Sequence, residues 1–243
     1  MSGDDDDGPL TLRSDTLAAL SSFLAERAAA EEAASREAED AGATLLTTED
    51  WELSQFWYDE STSRFLAAEV MRNAVDVGAS GGSQPIVVAF VSSPSAYKAF
   101  RALPSEPGVR GVLLEYDARF AVFGSDFVQF DYRRPAELPA WLLGGVDVFL
   151  LDPPFLNPDC LRGFSEAVAA MKRAGGAATR IMLASGAVML RPARDLMDLR
   201  PTRVQIHHAA GRLSNPFALF ANYERPEHLG GWDEEAENAQ MSL

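Results

Sequence analysis

A single cysteine, Cys160, excludes an internal disulfide and any cysteine-built metal framework, and suits a reducing compartment. The adjacent pair His207-His208 falls in a strand-like stretch, where neighbouring side chains point to opposite faces, so no shared metal is expected. No apolar run approaches the roughly 20 residues of a membrane helix. The opening MSGDDDDG is the reverse of the basic-then-apolar plan of a secretory leader. Together these point to a cytoplasmic protein. Also missing is the GxGxxG loop that cradles a phosphate, so a ligand held after the first strand is expected to place no phosphate there.

Positive charge is scarce at both ends. Residues 1–50 hold 13 acids and 3 bases, and residues 227–243 hold 5 acids and no base, while residues 51–226 carry 18 of each. The net charge of −15 therefore sits in the ends. Such ends are expected to be solvated segments, or to attract a basic protein partner. A neutral body argues against a nucleic-acid groove, which would gather positive charge to displace counterions. The pairs Arg133-Arg134 and Lys172-Arg173 read as local surface.

With 47% hydrophobic content the 243 residues suffice for one well-packed domain with short appendages. The expected organisation is a disordered acidic N-terminus over 1–13, a helical extension over 14–50, a catalytic domain over 51–226 and a disordered acidic tail over 227–243. Helical periodicity begins near Asp59 and runs to Val75. An alternation follows. IVVAFV (86–91), GVLLEYD (111–117), DFVQFDY (126–132), VDVFLLD (146–152) and RIMLASG (180–186) read as strands, with helical stretches between most of them. RVQIHH and PFALFANYE close the series as an antiparallel pair joined by a short loop. Apolar strands separated by helices predict a mostly parallel sheet covered on both faces. Seven strands with the last inserted antiparallel is the plan of the class I, Rossmann-like S-adenosylmethionine-dependent methyltransferases.

In such sheets ligands lie beyond the carboxyl ends of the strands. The residues expected there are Ser92, Ser93 and Ser95 after the first strand, Glu115 and Asp117 after the second, Asp131 after the third and Asp152-Pro153-Pro154-Phe155 after the fourth. Ser93 and Ser95 are expected to cap the following helix, and the small residues to allow close approach of a methionyl group. Either Glu115 or Asp117 could accept ribose hydroxyls, or simply pair with Arg119. Asp131 is a candidate for an adenine amine. In Asp152–Phe155, two prolines fix φ and remove two N–H donors. The Asp152 carboxylate and Pro153 carbonyl are then free to accept hydrogen bonds from one nitrogen, with the Phe155 ring stacking on a base or facing a cation. Holding an amine so that its lone pair aims at a methyl group is what N-methylation requires. Phe56, Trp57 and Tyr58 either staple this segment onto the body or shape the acceptor pocket. Asn215 and Phe217 are candidates for the pocket rim.

The stretches DTLAALSSF, EDWELSQFWYDE, VSSPSAYKAFR, LLEYDARFAVFG, FDYRRP, VDVFLLDPPFL, LASGAVM and LSNPFALFANY, in this order, resemble the N6-adenine-methyltransferase-like family over most of residues 15–223. The resemblance implies S-adenosyl-L-methionine as methyl donor and, despite the family's name, a lysine of translation elongation factor 1-alpha as acceptor. It makes Asp152 to Phe155 the acceptor-binding motif and places Glu115 and Asp117 at the cofactor. Tyrosine is also common where Phe155 stands. Two rivals remain: an N6-adenine methyltransferase acting on RNA or DNA, and a binding module that keeps the fold without catalysis.

Overall fold

The structure is a computed structural model and describes residues 57–81, 85–174, 178–209 and 216–241. The expected N-terminal segments 1–13 and 14–50, together with Phe56 and Asn215, lie outside the described residues.

Helix α1 (Glu60–Ala79) starts where the Asp59 carboxylate accepts the Thr62 amide at 2.7 Å, a side-chain N-cap. Strand β1 (Ile86–Val91) is buried along its whole length and leads into α2 (Pro94–Arg101). Next come β2 (Val109–Glu115), a 3₁₀ segment over Ala118–Asp126, β3 (Phe127–Gln129) and β4 (Val148–Leu151). Helix α3 (Pro158–Met171) is capped by Asn157, whose side-chain oxygen accepts the Cys160 amide at 2.8 Å. Strand β5 (Arg180–Gly186), α4 (Leu190–Met197), β6 (Arg200–Gln205) and β7 (Phe217–Ala221) complete the sheet.

The strand order is β3-β2-β1-β4-β5-β7-β6, with β7 antiparallel to both neighbours and every other pairing parallel. This is the class I methyltransferase plan expected from the alternation. Successive residues of β1 feed opposite faces of the sheet. Val88 and Phe90 pack with Leu66 and Val70 of α1 and Tyr97 of α2, while Val87, Ala89 and Val91 pack with Leu161 and Phe164 of α3 and Leu190 of α4.

Two differences from the sequence reading have physical causes. Strand β3 is three residues long: the Phe130 amide makes the last bond to β2, to the Glu115 carbonyl at 2.9 Å, and the chain then turns, tied by an Arg134 N–H to Asp131 carbonyl bond. The tail expected to be disordered from residue 227 is folded instead. It forms α5 (Pro226–Leu229) and α6 (Glu234–Met241). Trp232 bridges Thr202 on the outer edge of β6, and Glu237 accepts hydrogen bonds from Arg194 and Arg200. Acids that read as solvated in isolation are neutralised by arginines some 40 residues away in sequence.

Candidate functional site

Register sets the site. Val91 pairs with Leu114 on one side and Leu151 on the other, so Ser92, Glu115 and Asp152 leave the sheet at one height. The Ser92 amide still bonds the Leu114 carbonyl at 2.8 Å, and the Asp152 amide bonds the Val91 carbonyl at 3.0 Å. The strand order reverses between β1 and β4, where an open α/β sheet leaves its crevice.

At the β1 end the chain turns sharply, with Ser92 in the left-handed region at φ 56°. Ser93 is fully buried and occupies the N-cap position, but its side chain does not cap α2. The hydroxyl instead lies 3.5 Å from the Leu150 carbonyl, and Pro94 at the helix start needs no N–H partner. That corrects the capping role expected for Ser93. Ser95 is half-buried in the first turn.

At the β2 end the two acids differ. One oxygen of the buried Glu115 carboxylate accepts the Tyr116 amide at 2.8 Å and the Asp117 amide at 3.2 Å. Burial raises its pKa to about 7, against the pull of those amides. Asp117 is buried too, but its oxygens are taken up by the Arg119 amide at 2.9 Å and the Arg119 guanidinium at 2.6–2.8 Å. After β3, Asp131 is held by a fork from Arg133 at 2.7–3.1 Å, which keeps its carboxyl below the usual range. An adenine amine would compete with that fork. Arg133 also lies over the Tyr116 ring at 5.7 Å, a use of this arginine that its place in a surface-like pair did not reveal.

At the β4 end, Asp152 is half-buried, Pro153 buried and Phe155 41% exposed. Phe155 meets the Tyr132 ring edge-on at 6.3 Å, so two aromatic rings stand together at the end of β4. Burial pushes the Asp152 pKa to about 8; the Tyr58 hydroxyl draws it down and the Glu115 charge pushes it up. Trp57 and Tyr58 are buried, with Trp57 edge-on to Phe120 at 6.2 Å. The segment thus packs on the body, and one of its side chains still reaches the acceptor corner. Phe217 opens β7 half-buried, its ring edge-on to His208 at 4.7 Å. The structure therefore brings Tyr58, Glu115 and Asp152 together, and turns Asp117 and Asp131 toward arginines.

Two positions that the sequence reading passed over shape this end of the molecule. A Cβ on Gly163 of α3 would sit 2.3 Å from the Tyr132 carbonyl oxygen. One on Gly186 at the end of β5 would sit 2.8 Å from a Leu156 methyl. Neither glycine stands in a turn-like sequence, so only contact across the fold exposes them.

A family model described as "Probable N6-adenine methyltransferase" matches residues 49–225. Protein-lysine N-methyltransferase M142.8 of Caenorhabditis elegans is 38% identical over 224 residues, which cover 91% of this chain and 97% of the relative. EEF1A lysine methyltransferase 1 of Mus musculus is 35% identical over 225 residues, covering 92% and 97%. Protein-lysine N-methyltransferase EFM5 of Saccharomyces cerevisiae is 33% identical over 192 residues, covering 74% of each chain.

Proposed function

The chain belongs to the family described as "Probable N6-adenine methyltransferase", and from that premise we propose that it is an S-adenosylmethionine-dependent protein-lysine N-methyltransferase acting on a lysine of translation elongation factor 1-alpha. The observation that carries the reading is its likeness, along more than nine-tenths of the chain, to relatives named as lysine methyltransferases. It goes with a cytoplasmic location. Among the described residues no helix is long and apolar enough to cross a membrane.

The crevice suits the cofactor by its donor set. Glu115 is buried at the β2 end with a carboxylate that ribose hydroxyls would satisfy, whereas Asp117 is already engaged by Arg119. The buried Ser93 and the turn at Ser92 give the methionyl part close access to backbone. When bound, S-adenosylmethionine supplies a methyl group on a cationic sulfur, whose C–S electron pair stays with sulfur as the nitrogen lone pair forms the new N–C bond.

The chain's own work is to hold and prepare the acceptor nitrogen. A lysine ammonium, with a reference pKa near 10.4, has no lone pair until it sheds a proton. The Asp152 carboxylate attracts the cation, and the aromatic wall of Phe155 and Tyr132 favours the neutral amine, the proton leaving to water. The Asp152 carboxylate and the Pro153 carbonyl then accept the amine N–H groups and fix the lone pair's direction. Trp57, Tyr58 and Phe217 back this pocket.

The family's description favours a second reading, adenine as acceptor. A body with 18 acids and 18 bases over residues 51–226 lacks the positive surface for it. Incubation with labelled S-adenosylmethionine and either purified elongation factor 1-alpha or total RNA decides between them. Label in the protein supports the reading, and label in RNA overturns it.

A further inference from the structure

Tyr58 is 4% exposed, and among the described residues its hydroxyl makes no hydrogen bond of ordinary geometry. Leaving a buried donor unpaired costs about 1–3 kcal/mol, and buried tyrosine hydroxyls normally find an acceptor. An orphan of this kind asks for a functional explanation.

Its position is fixed from two directions. The Asp59 amide donates to the His207 carbonyl at 3.0 Å and the Ala209 amide to the Trp57 carbonyl at 2.8 Å, so Tyr58 and His208 form an antiparallel bridge. The Tyr58 ring rests on the His208 ring at 5.5 Å. His208 in turn meets Phe217 edge-on at 4.7 Å, and Phe217 pairs with Gly186 at the carboxyl end of β5, the strand beside β4, so the hydroxyl lies at the sheet end where Asp152 emerges and each group acts on the other's proton affinity. Among the described residues, the charged group that acts on Asp152 is Glu115, a second acid that repels it. His208 is kept largely neutral by burial and brings no compensating charge.

We propose that Tyr58 is a positioning residue: its O–H donates to one oxygen of Asp152 and turns the other oxygen toward the incoming amine. The inference rests on the reading of Asp152 as the group that holds the acceptor nitrogen. A carboxylate at a strand end swings about its side-chain torsions. A phenol anchored to the segment after β6 removes that freedom and supplies a donor on the side of Asp152 where Glu115 brings like charge. The bond closes as the carboxylate becomes ionised and engaged.

The test is Tyr58→Phe, which keeps the ring on His208. Because the hydroxyl has no partner to lose, the melting temperature should be unchanged or higher. In the cofactor-free protein, the carbon-13 titration of the Asp152 carboxyl should move up by about half a unit to one unit. The acid limb of kcat/KM should move the same way, giving roughly a threefold to tenfold loss near pH 7 that is regained near pH 9. Glu115→Gln should move the same titration down, which identifies the titrating group. An Asp152 titration identical in wild type and Tyr58→Phe overturns the inference, as does a loss of activity equal at every pH with a lower melting temperature. If the wild type transfers no label to elongation factor 1-alpha while the titration still shifts, the substrate assignment falls and the hydrogen bond stands.

Discussion

Glu115 and Asp152 face each other across the end of β1, and the charge on Glu115 raises the proton affinity of Asp152. Glu115, near 7, ionises first, and Asp152, near 8, follows against that charge. Both values lie well above those of a free acid, so in the folded protein each carboxyl keeps a proton that the unfolded chain has released. Stability contributed by holding these protons is fully present only below about pH 4 and is lost as pH rises from there through about 7 to 8. The cofactor-free protein should therefore weaken between pH 5 and pH 9. His208, whose pKa burial lowers, works in the opposite direction around its ordinary value, so the clean quantity is a difference. Urea unfolding of wild type and Glu115→Gln at pH 5, 7 and 9 supplies it. Parallel curves would show that these acids do not titrate as a buried pair.

Asp152→Asn and Asp152→Ala should both lose methyl transfer by at least about a hundredfold, the scale on which misplacing a reacting group acts. Asparagine keeps the shape but offers the ammonium no charge, so rescue by this variant is not expected. Cofactor binding by calorimetry should change by no more than about threefold, since the buried Glu115 at the end of β2 is untouched. A variant that keeps turnover would remove Asp152 from the acceptor site.

The sheet was legible because its strands are continuous apolar runs. IVVAFV and VFLL are buried at every position, and their spacing by helices fixes the parallel pairing and the height at which Glu115 and Asp152 emerge. The acids at the strand ends could be named but not sorted. Asp117 and Asp131 look like Glu115 in the sequence, and only the side-chain forks of Arg119 and Arg133, two residues on in each case, separate them. Tyr58 was legible as an aromatic beside the site, while the direction of its hydroxyl depends on a bridge to His208, 150 positions away. The tail at 227–241 was misread because Glu237 finds Arg194 and Arg200 through the fold, a match that local composition cannot express.

That match is a latch. The Glu237 carboxylate is 8% exposed as a residue and lies between two arginines, one of which, Arg200, also stacks over Trp232 at 4.7 Å. Glu237→Ala would leave two half-exposed cations facing a vacated corner, a loss of about 1–2 kcal/mol given partial solvent screening. Removing residues 230–243 should do more, because Trp232 and the Asp233 amide to Pro201 carbonyl bond at 2.9 Å cover the edge of β6. An uncovered edge strand recruits other chains. Light scattering of the truncated protein should show self-association that Glu237→Ala alone does not.

Gly163 offers a sign reversal. In an exposed helix interior, replacing glycine with alanine stabilises by up to about 1 kcal/mol, since alanine loses less backbone freedom on folding. Here the added Cβ would come 2.3 Å from the Tyr132 carbonyl oxygen and 3.0 Å from its ring. The first of these is backbone, which cannot rotate away like a side-chain tip. Either α3 or the loop after β3 must retreat, and that loop carries Asp131 and the Tyr132 ring that meets Phe155. Gly163→Ala should therefore destabilise the fold by about 1–3 kcal/mol, in the range of overpacked cores. It should also reduce kcat more than it weakens cofactor binding, because the displaced ring meets Phe155 of the proposed acceptor motif. Thermal melts and initial rates on the same preparation check both, and a stabilised, fully active variant would show that α3 does not press on this loop in solution.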